Sequence, residues 1–107
     1  MGAEGEDLSA AWYEAHGYRV VARNWRCPEG ELDLVLHRGR TVVFCEVKTR
    51  SSLALGSPLE AVTAVKQRRI RRLAAEWLRQ TDGRASQVRF DVAAVLEGTV
   101  EVVQNAF

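Results

Sequence analysis

The stretch GELDLVLHRGRTVVFCEVKTR, residues 30–50, decides how the rest of the chain is read. Two apolar runs flank Arg38-Gly39-Arg40, and Glu31, Asp33, Glu46 and Lys48 interrupt them. Side chains alternate faces along a strand, so register determines what those charges do. Gly39-Arg40 suits a two-residue hairpin loop, with Gly first as a type II′ turn prefers. Arg38 then faces Thr41. One face sets Leu32, Leu34 and Leu36 against Val47, Cys45 and Val43 and reads as core. The other pairs Asp33 with Glu46 and Glu31 with Lys48, and sets Val35 opposite Phe44. A one-residue slip would oppose Leu32 and Glu46, mixing core with charge, and the pattern rejects it.

Glu31 opposite Lys48 is an ordinary cross-strand salt bridge. Asp33 opposite Glu46 is not, because like charges facing each other across a strand pair are destabilising. Two readings stand at this point. One is a solvated strand face. The other is a pair of carboxylates compensated by a proton or a cation, a hard-oxygen site suited to Mg²⁺ or Mn²⁺. Such a site, with open positions for water, is what phosphodiester hydrolysis requires. Lys48 would then orient the attacking water or neutralise phosphate charge.

The 107 residues suit one domain, 1–107, with enough chain for a core. A 47% apolar and 27% charged composition is that of a folded, soluble protein. No apolar run is long enough to span a membrane, and the acidic start MGAEGED lacks the features of a signal peptide. A cytoplasmic location without membrane association is therefore expected. Cys27 and Cys45 show no ligand spacing with His16 or His37, and are expected to be one loop thiol and one core thiol.

Outward from the hairpin, residues 4–16 read as a helix with Leu8, Ala11, Trp12 and Ala15 as its apolar stripe. YRVVARNW is a strand and CPEG a turn. Residues 49–58 read as a polar loop. A second helix runs from Pro58 or Thr63 to Arg79, with Ile70, Leu73, Ala74, Trp77 and Leu78 facing inward. Strands at 88–96 and 99–104 follow around the Glu97-Gly98 turn. The order helix, three strands, helix, two strands suggests an α/β domain in which helices flank a mostly antiparallel sheet. Net charge is only +1, but residues 66–79 carry six basic side chains and one acidic one. Such a helix suits phosphate contacts rather than sequence readout. A solvated helix face is the plain alternative.

GELDLVL followed by VVFCEVKTR resembles the Asp…Glu-x-Lys core of the PD-(D/E)xK nucleases. The wider set of Gly5-Glu6, GYRVVARNWR, GELDLV, VFCEVKTR, GSPLEAV, RFDV and the terminal AF resembles the YraN family of uncharacterised bacterial proteins. That family is itself similar in pattern to archaeal Holliday-junction resolvases. The resemblance implies a restriction-endonuclease-like mixed sheet flanked by helices. It implies a divalent-metal site of Asp33 and Glu46, completed by Glu6, with Lys48 as the catalytic lysine. It also makes Lys66 the first choice for a phosphate contact near the site. Arg69 and Arg72 follow on the same helix, and Thr49 and Arg50 extend the Glu-x-Lys motif into the same cleft. Loop 51–57 would be a clamp over nucleic acid.

Two functions follow as expectations. The first is a divalent-metal-dependent endonuclease acting on DNA, including branched or structured DNA. The second is a nucleic-acid-binding or partner-binding protein that keeps the fold with little or no cleavage. Resolvases cut as pairs, so a homodimer is compatible with the first, although no interface is legible. Asp91 is expected either to support the site from behind its ligands or to form a structural ion pair in the Arg89 neighbourhood, and it is not assigned as a ligand.

Overall fold

A computed structural model describes residues 2–50, 58–81 and 85–107. The element order is the expected one: α1 (Gly2–Ala15), β1 (Arg19–Cys27), β2 (Gly30–Arg38), β3 (Thr41–Arg50), α2 (Ala64–Gln80), β4 (Gln87–Leu96) and β5 (Thr99–Val103). A short 3-10 turn, Pro58–Ala61, leads into α2. The strands form one sheet in sequence order, flanked by the two helices. The expected clamp, 51–57, lies outside the described residues. Among the described residues no helix is long and apolar enough to cross a membrane.

The sheet is mixed and mostly antiparallel, as expected. β3 and β4 run parallel from Thr41↔Gln87 to Arg50↔Leu96, while the other three neighbour pairs are antiparallel. A parallel pair needs a crossover, and α2 lies between β3 and β4 in the chain to provide it. Its start is fixed by Thr63, whose side chain accepts the Lys66 N–H at 3.3 Å. Its inward residues are Ile70, Leu73 and Ala74, as the spacing predicts.

Two cores form, one on each sheet face. Ala10, Tyr13, Tyr18, Leu34, Leu36, Val43, Cys45 and Ala93 fill the α1 side. Leu32, Val35, Phe44, Val92, Ile70 and Leu73 belong to the α2 side, with Trp25, Trp77 and Phe90 packed against them. The cysteines are free, Cys45 in the core and Cys27 half-buried at the end of β1.

The helix α1 is rotated from the orientation that its apolar spacing predicts. Gly5, Glu6, Ser9, Ala10 and Tyr13 are buried, whereas Ala11 and Ala15 are exposed and Leu8 and Trp12 only half-buried. Small residues explain the rotation. A Cβ on Gly5 would lie 2.5 Å from Thr49 Oγ1, so a bare Cα lets the helix close on β3. Ser9 satisfies its buried hydroxyl within the helix, donating to the Gly5 carbonyl at 2.8 Å. The rotation turns Glu6 from the flank of the helix into its buried face.

Candidate functional site

The hairpin register is the predicted one from Arg38↔Thr41 through Leu36↔Val43 to Leu34↔Cys45, and there the ladder stops. Beyond it the Asp33 carboxylate, not a β2 carbonyl, accepts the Val47 N–H at 2.9 Å. The parting coincides with an irregularity in β1. Asn24 adopts a left-handed φ of 52°, which Asn tolerates better than most residues. It sits between the pairs Arg23↔Leu34 and Trp25↔Leu32, at the level of Asp33. Both strands exchange faces there. Leu34 belongs to the α1-side core, but Leu32 and Trp25 belong to the α2 side. Leu32 therefore does not share a face with Leu34 and Leu36 as simple alternation predicts. Asp33 occupies the twist, where β2 parts from β3.

Glu46, on β3, meets Asp33 at this parting. Burial pushes the Asp33 carboxyl up to about 7, with the charge and hydrogen bonding of Glu46 adding to it and the Val47 N–H opposing it; Glu6 contributes in the same direction as Glu46. Glu46 Oε2 lies 3.4 Å from Lys48 Nζ and 3.4 Å from Lys66 Nζ. Lys48 is two residues along the same strand, while Lys66 reaches over from the first turn of α2. Burial works to lower Lys48, but its contact with Lys66 and the Glu46 carboxylate prevail and leave it raised. Lys66 is lowered, by Lys48 first and burial second. The two ammonium groups crowd each other, so the pair gives up its first proton more readily than a lone lysine does.

Glu6 stands beside this group rather than within it. Its Oε1 accepts from Asn24 Nδ2 at 2.9 Å and lies 3.9 Å from Arg23 Nη2. Arg23 makes its closer contact with Asp7, at 2.6 Å. Asn24 and Arg23 were not singled out in the sequence; a strand-disfavouring Asn inside a β-branched run was the signal. Glu31 pairs with Arg26 of β1 at 2.8 Å and not with Lys48. Thr49 projects toward Gly5 of α1, away from the α2 side. Arg50 closes β3 half-buried. Arg69 packs its aliphatic stem near Gly30, and exposed Arg72 borders a cleft with Glu29, Glu76 and Arg79.

Asp91, opposite Cys45 on the neighbouring strand β4, is a different kind of carboxylate. It takes two bonds from Arg89, Nε at 2.9 Å and Nη2 at 3.0 Å, one from the Tyr13 hydroxyl at 2.5 Å and one from the Asn105 N–H at 2.9 Å. Arg89 also donates to Tyr18 Oη at 2.9 Å. Of its two expected roles the structural ion pair is the one found, and it ties α1 and the C-terminal segment to β4.

Could a divalent cation fit? Among the described residues no group of three or more His, Cys, Asp or Glu side chains converges on one point. Asp33 and Glu46 supply two hard, mutually repelling carboxylates, and Mg²⁺ commonly takes one or two carboxylates and keeps its remaining waters. The donor set fits an ion of that kind.

A model of the "Uncharacterised protein family UPF0102" matches residues 5–95. The chain belongs to UPF0102. That is the YraN family to which its motifs point. UPF0102 proteins similar to it include one from Beutenbergia cavernae, 62% identical over 96 residues, covering 90% of this chain and 81% of the relative. Another from Nocardia farcinica is 53% identical over 96 residues, covering 90% and 76% respectively. A third, from Rhodococcus jostii, is 51% identical over 112 residues, covering 100% of this chain and 95% of the relative. The UPF0102 match starts at Gly5-Glu6 and encloses Asp33, Glu46, Lys48 and Lys66.

Proposed function

We propose that this UPF0102 chain is a divalent-metal-dependent endonuclease that hydrolyses phosphodiester bonds in DNA, branched or structured DNA included. The observation that carries the reading is the meeting of Asp33 and Glu46 where β2 and β3 part, with Lys48 on the Glu46 carboxylate. A bare strand pair does not retain two crowded carboxylates without a compensating proton or cation. Asp33 and Glu46 would hold Mg²⁺ or Mn²⁺, and the ion would supply charge neutralisation at the phosphate and a reactive water. Lys48 keeps Glu46 in place and presents an ammonium group to the phosphate or the attacking water. Glu6, fixed by Asn24, adds negative charge beside the pair and would favour a bound cation through that charge. Lys66, Arg69 and Arg72 bind the phosphate backbone, with Arg50 at the end of β3 bordering the strand's path, while Thr49 packs toward Gly5 of α1 instead.

A second reading has its own support. With Glu46 engaged by two lysines and Glu6 by Asn24, the same surface serves a nucleic-acid-binding protein that does not cut. Cleavage of duplex, single-stranded and four-way-junction DNA with Mg²⁺ or Mn²⁺ separates the two. The endonuclease should cut at least one substrate, and Asp33→Ala and Lys48→Ala should each abolish the cut. Cutting that persists in both variants would remove the site from consideration. Binding without cutting on every substrate would leave the second reading.

A further inference from the structure

Lys66 occupies an unexpected position for a phosphate-binding residue. Its Nζ and that of Lys48 approach one and the same oxygen, Glu46 Oε2, each at 3.4 Å. One ammonium group is enough to balance Glu46, and two on a single oxygen repel each other. Their anchors differ. Lys48 stands on a strand whose backbone is locked in the parallel ladder opposite Ala94. Lys66 stands in the first turn of α2, where the positive end of the helix disfavours a cation. Its side chain is 35% exposed, so the ion pair is screened and holds weakly. A four-carbon stem gives it room to turn. Lys66 is thus the member of the trio that a stronger cation displaces.

We propose that Lys66 is a latch: it rests on Glu46 until a divalent cation binds there, and it then turns outward to a phosphate of the nucleic-acid strand. This rests on the reading of Asp33 and Glu46 as a divalent-cation site. In the cation-free protein Lys66 shields Glu46 and is withheld from the strand. Once released it joins Arg69 and Arg72, which follow it at one-turn steps along α2. Cation binding and phosphate binding then favour each other, and linkage makes the effect reciprocal.

The experiment measures Mn²⁺ affinity without nucleic acid, from the electron paramagnetic resonance signal of free Mn²⁺. It compares wild type, Lys66→Met and Arg68→Met, the last removing one exposed positive charge from the same helix. Lys66→Met should bind Mn²⁺ about fivefold tighter or more, the range of a modest coupling between sites. Arg68→Met should bind as wild type does. In parallel, fluorescence anisotropy on labelled duplex DNA, read at the earliest times, should show Mn²⁺ strengthening wild-type binding by a larger factor than Lys66→Met binding, the difference being the share that released Lys66 contributes. Equal Mn²⁺ affinity in wild type and Lys66→Met overturns the latch and leaves the cation site standing. An equal gain in Arg68→Met also overturns it, since the effect is then general charge. Mn²⁺ binding to neither wild type nor Lys66→Met overturns the site and the latch together.

Discussion

Two aspartates in this sheet are treated in opposite ways. Asp91 is fully buried and surrounded by donors from Arg89, Tyr13 and Asn105. Burial, together with the charge of Asp91 and its hydrogen bond, holds the Tyr13 hydroxyl above its usual range, so it remains a donor. Removing the charge from such a pair leaves the arginine without its partner, at a cost of about 3–5 kcal/mol. Asp91→Asn should therefore lower the stability by about 3 kcal/mol, read from urea unfolding; a loss below about 1 kcal/mol would show that the network is dispensable. Asp33 has a single backbone donor and two carboxylate neighbours. Its folded-state value lies above the ordinary carboxylate value, so the native chain binds the proton more tightly than the unfolded chain does. The contribution to stability is then full at low pH and is lost as pH rises from about 4 to about 7. Without divalent cations, wild type should lose stability over that window. Asp33→Asn keeps an acceptor for Val47 and should flatten this part of the profile, gaining about 1–2 kcal/mol at pH 8 once partial exposure is allowed for. Thermal melts in a chelating buffer test it, and an unchanged slope in Asp33→Asn would assign the pH dependence elsewhere.

At the scale of elements, the sequence carried the hairpin and the order of strands, because two-residue turn chemistry and apolar alternation both act locally. It did not carry the twist at Asn24, where alternation fails on both strands at once and moves Leu32 to the opposite core from Leu34. The parallel β3–β4 pairing was equally hidden, since nothing within either strand states which neighbour it meets. The pair Asp33–Glu46 was legible as a crowded carboxylate pair. Lys66 on Glu46 was not, because the contact joins β3 to a helix whose start is set by Thr63. The orientation of α1 shows how a missing side chain outweighs an apolar stripe. A Cβ at Gly5 would meet Thr49 Oγ1 at 2.5 Å, yet would make only ordinary contacts with Val47 and Val95 at 3.6 and 3.7 Å. Gly5→Ala should destabilise by about 1–3 kcal/mol through overpacking. In a Thr49→Ala background the obstacle is gone, and the same substitution should become neutral or stabilising by up to about 1 kcal/mol, the helix preference of Ala over Gly. A double-mutant cycle by chemical denaturation measures the sign change; additive effects would mean that Thr49 is not what Gly5 makes room for.

Over the whole molecule the charge is sorted rather than spread. The segment 66–79 carries +5 within a chain of net +1, leaving −4 on the remainder. The helix α2 is 17 residues long, so its basic residues extend over roughly 20 Å from the Glu46 site toward Glu29 at the β1–β2 turn. A positive element on an acidic body orients a polyanion instead of attracting it from every side. Backbone contacts release condensed counterions, and each is worth a slope of about 0.9 in log K against log salt on duplex DNA and about 0.7 on a single strand. Arg69→Ala and Arg72→Ala should each lower the slope by about that amount and weaken binding alike across unrelated sequences. Together they should lower it by about 1.8 on duplex, the sum expected of two separate phosphate contacts. Anisotropy titrations of one labelled duplex and one labelled single strand from low to moderate salt give both slopes. A step near 0.7 on the single strand combined with none on duplex would identify single-stranded nucleic acid as what this face holds. Unchanged slopes on both would assign the basic face of α2 to solvent, and phosphate recognition would then have to arise outside this helix.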